Sequence, residues 1–119
     1  MSMYQPGLLH TPVTPFTRGH AIDFDRYAKL IEFHLANGAD GLALPMHAGE
    51  SVSLSDGERR ALVEFAIKHV NDRKPIIAHV SETGTAIATA LARHAEEQGA
   101  SAIVATTPYY WTPPAGMVL

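Results

Sequence analysis

Three short clusters hold most of the side chains able to do chemistry: His47-Ala48-Gly49-Glu50-Ser51, His79-Val80-Ser81 and Thr106-Thr107-Pro108-Tyr109-Tyr110. Each opens at or just beyond the end of an apolar run. An imidazole titrates at about 6.5 and both donates and accepts, which makes His47 a candidate proton carrier. A phenol relays a proton at neutral pH only through a hydrogen-bonded neighbour, the condition any relay role of Tyr110 must meet. His47 and His79 at neighbouring mouths invite a metal, but a catalytic zinc site draws on three protein ligands and no third is evident, so no metal is expected. Of the remaining five histidines, His10 falls in the first apolar run and the other four on helices or loops.

Other chemistries are excluded by composition. There is no cysteine, which removes disulfides, thiolate metal sites and a thiol nucleophile, and with them any argument for an oxidising compartment; the expected location is cytoplasmic. Lys29, Lys68 and Lys74 fall on two helix surfaces and a turn, the positions of solvated charges rather than of a desolvated amine nucleophile. Glu50 is the one carboxylate expected to face the site, and is read as structural, bonding backbone amides, ahead of a general base. A formal charge of -3 with scattered Lys and Arg offers nothing to phosphates, so no nucleic acid is expected. With 46% hydrophobic and 18% charged residues the chain has the composition of a globular protein. The start MSMYQPGLLH lacks a basic segment followed by an apolar stretch, and no apolar run approaches the roughly 20 residues that cross a bilayer. Neither signal peptide nor membrane association is expected.

These clusters must be positioned by the elements between them. Leu8 to Thr14 reads as a short strand closed by Pro12 and Pro15, the second of which cannot donate to a ladder and ends it. Asp23 is a good N-cap for a helix whose Phe24, Tyr27, Leu30, Ile31, His34 and Leu35 share one face, and Asn37-Gly38 stops it. Gly41 to Met46, Pro75 to Val80 and Ser101 to Thr107 are apolar runs of strand length without alternation, as expected for strands covered on both faces. Ser55 with Glu58 forms a capping box ahead of Leu62, Val63, Ala66, Ile67 and Val70, and Ile87, Ala90, Leu91, His94 and Ala95 line a third helix closed by Gly99. Strand and helix alternate evenly with no linker, which predicts one α/β unit with a parallel sheet. VTPFTRG after the first strand is neither a dinucleotide turn nor a phosphate loop, which disfavours a doubly wound sheet. A (β/α)8 TIM barrel needs about 250 residues, so residues 1–119 are expected to be the N-terminal part of a single barrel domain. Half a barrel leaves two bare parallel edges and an open inner face, and should aggregate or recruit a partner.

The motifs VTPF, GES, PIIA and TTPYY, in this order and spacing across nearly the whole chain, resemble the dihydrodipicolinate synthase and N-acetylneuraminate lyase family. The resemblance implies a class I aldolase: pyruvate or a related 2-oxo acid forms a Schiff base with a lysine, which then adds to or releases an aldehyde. No cofactor is implied. The family's lysine lies on the sixth strand, so the 119 residues alone are expected to be inactive.

The resemblance also implies site residues. Where relatives carry Gly-Thr-Thr-Gly-Glu-Ser, this chain reads Met46-His47-Ala48-Gly49-Glu50-Ser51. The amides of His47 and Ala48 can still hold a carboxylate whatever their side chains. The relay hydroxyl is gone, and His47 either replaces it or merely fills the space. Tyr110 is implied in a proton relay that crosses a tight dimer interface, with Tyr109 packed there; both are alternatively plain interface aromatics. Thr11 and Thr14 line the floor in a supporting role. The implied assembly is a homodimer or homotetramer. The rival readings are a non-catalytic relative that binds a small acid, and a half-barrel completed by a partner chain.

Overall fold

The computed structural model describes residues 7–112 and 114–117. Strand and helix alternate through β1 (Leu9–His10), α1 (Phe24–Ala36), β2 (Gly41–Leu44), α2 (Asp56–Val70), β3 (Ile76–His79), α3 (Thr85–Gln98) and β4 (Ala102–Val104), with single 3-10 turns at Ser51–Ser53 and Ala115–Met117. The helices start and stop where their side chains allow. Asp23 caps α1 by accepting from the Arg26 amide at 3.0 Å. At α2 the Ser55 hydroxyl accepts from the Glu58 amide at 3.1 Å while the Glu58 carboxylate accepts from the Ser55 amide at 2.8 Å, a cap that stabilises by about 1 kcal/mol. Beyond α1 and α3, Gly38 and Gly99 take φ of +91° and +94°, a conformation glycine adopts without a Cβ clash.

The strands form one parallel sheet in the order β1-β2-β3-β4. Leu42 pairs with Ile76 and Leu44 with Ala78, while Ala43 pairs with Ile77 and His79 with Val104. Successive side chains on a strand point to opposite faces. Leu42, Leu44, Ile76 and Ala78 therefore meet the helices, where they join Tyr27, Ile31, Leu62, Ala66, Val70, Leu91 and Ala95 in the core. Ala43, Ile77 and His79 are buried on the other face. Each fully buried leucine or isoleucine contributes about 2 kcal/mol. The molecule measures 43 × 39 × 23 Å, and its short axis is the thickness of one sheet carrying one layer of helices.

The strands are shorter than their apolar runs. The expected strand from Leu8 to Thr14 pairs only at Leu9 and His10, because Pro12 has no N–H to donate. Pro45, after a cis Leu44–Pro45 peptide, ends β2 before Met46. On the last strand Ile103 faces the helical side and stays about half exposed; among the described residues no helix beyond α3 covers it.

Candidate active site

Because the strands are parallel, their carboxyl ends and the loops that follow open on one side. The loop after β2 closes on itself: the Met46 carbonyl accepts from the Gly49 and Ser51 amides at 3.0 and 3.3 Å, and the His47 carbonyl accepts from the Glu50 amide at 2.9 Å. The amides of His47 and Ala48 are left over. Both residues are exposed, and neither amide bonds a group among the described residues. Gly49 sits under this turn, where a Cβ would come within 3.2 Å of the Pro12 carbonyl and 3.3 Å of Pro45. Its own carbonyl accepts from the buried Thr14 hydroxyl at 2.7 Å, which ties the β1 loop to the β2 turn. Glu50 holds a left-handed φ of +59°, strain of order 1 kcal/mol for a side chain with a Cβ.

The end of β3 is organised from beneath by Arg59. Its side chain is buried, donates to the carbonyls of His79 and Ser81 at 3.2 and 3.0 Å, and pairs with Glu82 at 3.3 Å. The Ser81 hydroxyl accepts from the Thr106 amide at 2.8 Å, joining the β3 and β4 loops. His79 itself is only 4% exposed, and neither ring nitrogen finds a hydrogen-bond partner among the described residues. Burial lowers the His79 pKa below its ordinary value, and the Arg59 charge and the neighbouring His47 push the same way. The Pro45 carbonyl works in the opposite sense, without reaching a geometry that satisfies either nitrogen. The rings of His47 and His79 lie 6.3 Å apart, tilted by 51°.

Thus His47, Ala48 and His79 come together at the β2 and β3 mouths. Thr11 follows β1 and is exposed, while the buried threonine there is Thr14. Tyr109 and Tyr110 do not join the group as an enclosed site would require: they are 49% and 89% exposed and make no hydrogen bond or ring contact among the described residues. A surface hollow of about 640 Å³ lined by Asp72 to Pro75, Glu96 and Gly99 to Ser101 lies away from this mouth, beside the amino ends of β3 and β4. Two expectations about carboxylates change. Glu82 stands at the β3 mouth as well as Glu50 at β2, and the Glu50 side chain accepts from no amide among the described residues, because its left-handed turn leaves it in solvent. No cluster of three metal-binding side chains occurs among the described residues.

Arg59 was missed in the reading of α2, although a signal existed. Positions 59, 62, 63, 66 and 70 keep one helical stripe, and all five are buried; a cation in phase with an apolar stripe calls for a buried acceptor.

A parallel sheet with helices on one face and polar groups gathered at its carboxyl ends is the arrangement of part of a (β/α) barrel. Residues 5–118 match the Dihydrodipicolinate synthetase family, and the chain belongs to it. It is 40% identical over 101 residues to the 4-hydroxy-tetrahydrodipicolinate synthase of Bacillus subtilis (strain 168), covering 85% of this chain and 35% of that protein. With the enzyme of the same name from Geobacter sulfurreducens it shares 41% over 101 residues, 85% of this chain and 34% of the relative. The dihydrodipicolinate synthase from Aquifex aeolicus superposes with a TM-score of 0.89 at 33% identity, over 94% of this chain and 38% of the other. A prophage protein of the same family from E. coli K12, solved in complex with pyruvate, superposes with a TM-score of 0.90 at 33% identity, over 94% and 38%. The chain spans about a third of the length of the curated relatives it matches. It supplies about the first four βα units of a (β/α)8 barrel.

Proposed function

We propose that residues 1–119 are the N-terminal part of one barrel domain whose whole is a Schiff-base-forming lyase or synthase acting on pyruvate or a related 2-oxo acid and an aldehyde. The observation that carries this reading is the pair of adjacent amides, His47 and Ala48, left without partners in a closed turn at the mouth of β2. Two neighbouring N–H groups fixed by a turn suit a carboxylate, which needs donors and no particular side chain. The pyruvate complex of the E. coli relative supports the choice of acid. In the reaction a lysine amine attacks the keto carbon, the carbonyl oxygen leaves as water, and the resulting iminium stabilises the carbanion that meets the aldehyde. Lys29, Lys68 and Lys74 are exposed on α1, α2 and the following turn, so the amine is assigned to the part of the barrel beyond these four strands. His47 stands where the family carries a threonine and takes over proton transfer beside the bound acid. Tyr110 enters the relay, and Tyr109 its surroundings, from a homodimeric interface that covers both rings; the pair of dimers would make a homotetramer.

The protein with its complete barrel, incubated with pyruvate and borohydride, is expected to gain one reduced adduct on a lysine outside residues 1–119. No adduct, while pyruvate still protects the fold against heat, would favour the non-catalytic acid-binding reading, to which the missing threonine hydroxyls lend support.

A further inference from the structure

We propose that Arg59 and Ser81 are positioning residues that set the place of the β4 loop, and through it proton transfer by Tyr110, without taking part in holding the acid. The inference rests on the 2-oxo acid reading, in which Tyr110 belongs to the proton relay, and adds the residues that put it there.

The guanidinium of Arg59 is buried under the end of β3 and aimed at backbone. Its Nη2 donates to the carbonyls of His79 and Ser81 at 3.2 and 3.0 Å, and its Nη1 to the Glu82 carboxylate at 3.3 Å. A charge buried this way is stable only when paired and hydrogen-bonded, so the chain from His79 to Glu82 cannot turn without stranding the cation. Carbonyls two residues apart on extended chain point the same way, and by taking both, Arg59 fixes the rotation of the chain at Ser81. The Ser81 side chain is buried and reaches across to β4, where its hydroxyl accepts from the Thr106 amide at 2.8 Å. The ladder between the two strands explains what this bond does. Its last backbone step runs from the Val80 amide to the Val104 carbonyl at 2.9 Å, and in a regular parallel ladder the next would run from the Thr106 amide to the Val80 carbonyl. The Ser81 hydroxyl takes that amide instead, so a side chain held by Arg59 sets where β4 leaves the sheet. Tyr109 and Tyr110 follow Thr106 by three and four residues and depart from that point. Proton transfer is sensitive to such placement, since a displacement of about 1 Å can cost about a hundredfold in rate. The turn that holds the acid depends on other bonds: it closes through the Met46 and His47 carbonyls, to which neither Arg59 nor Ser81 is bonded. A loss at Arg59 or Ser81 therefore falls on rate rather than on binding.

The test follows exchange of the pyruvate methyl protons in deuterium oxide by NMR, on the protein with its complete barrel. In this reaction the iminium loses a methyl proton and the enamine takes a deuteron back, so no aldehyde is needed. Ser81→Ala is expected to lower kcat for exchange at least about tenfold, with KM for pyruvate moved less than about twofold. Arg59→Lys, which keeps the charge but not the planar fork, should show the same split with a smaller loss. Adding Arg59→Lys to Ser81→Ala should lower kcat no further, because both changes release the same amide. The Thr106 amide should exchange slowly with solvent in the parent and faster in Arg59→Lys, a measurement that needs no change at Ser81. Unchanged kcat in Ser81→Ala, kcat and KM worsening together, additive losses in the double variant, or an unprotected Thr106 amide in the parent each overturn the proposal. Exchange in the parent with unaffected variants defeats this inference alone, whereas a parent that leaves the methyl protons at their uncatalysed rate defeats the Schiff-base reading with it.

Discussion

Two histidine pairs in this chain are built oppositely. His10 on β1 and His34 on α1 meet behind the sheet with Nδ1 to Nδ1 at 2.9 Å and rings edge to face. One donates, the other accepts, and the pair closes a contact between strand and helix. His47 and His79 stand 6.3 Å apart at the mouth, and the buried ring of the two has no partner among the described residues. Imidazoles that satisfy each other are finished as structure. At the mouth the buried Arg59 fixes the backbone around His79 by donating to the His79 and Ser81 carbonyls, while the His79 ring itself stays without a partner among the described residues.

The contrast breaks most sharply at Arg59. Arg59→Ala leaves Glu82 and two carbonyls without their cation and should cost about 3 kcal/mol, read from urea denaturation, with Arg59→Lys restoring part of it. A loss below about 1 kcal/mol would mean that the β3 end holds its shape unaided. At the other pair, His34→Ala should cost about 1 kcal/mol while leaving acid binding at the mouth unchanged; lost binding would show the two pairs to be coupled.

Acid should weaken the fold through both pairs. His34, lowered by burial and by His10, and His79 have pKa values below the ordinary 6.5 in the folded protein. The unfolded chain then takes up protons first, so the stabilisation is full above pH 6.5 and is lost as pH falls through that value toward the folded pKa. The urea midpoint should drop from pH 7 to pH 5, less steeply in His79→Gln; a slope unchanged by that substitution would remove His79 from the cause. The smallest effect is expected at Glu32. Arg73 and His69 hold its carboxyl at about 2, yet the group lies in solvent, where salt screens the pair. Glu32→Gln should leave the midpoint nearly where it was.

What the chain declares in advance is mostly local. Ser55 and Glu58 announce their capping box because both partners lie within one turn. Asp23, Gly38 and Gly99 mark helix ends for the same reason, and the unalternating apolar runs foretell a parallel sheet. Arg59 was harder to read, since its burial depends on carbonyls 20 and 22 positions away. Tyr110 shows the opposite limit: its motif is plain, but its 89% exposure leaves the relay assignment dependent on a second copy. β1 is shorter than its apolar run because Pro12, and not only Pro15, withholds an N–H from the ladder.

The bonds from Thr14 to Gly49 and from Thr106 to Ser81 clasp the four loops into two couples, first with second and third with fourth. Across the two couples the rings of His47 and His79 approach to 6.3 Å, and the Pro45 carbonyl acts on His79. A disturbance at Thr14 is therefore felt at the turn of His47 to Glu50, whose Gly49 carbonyl it holds.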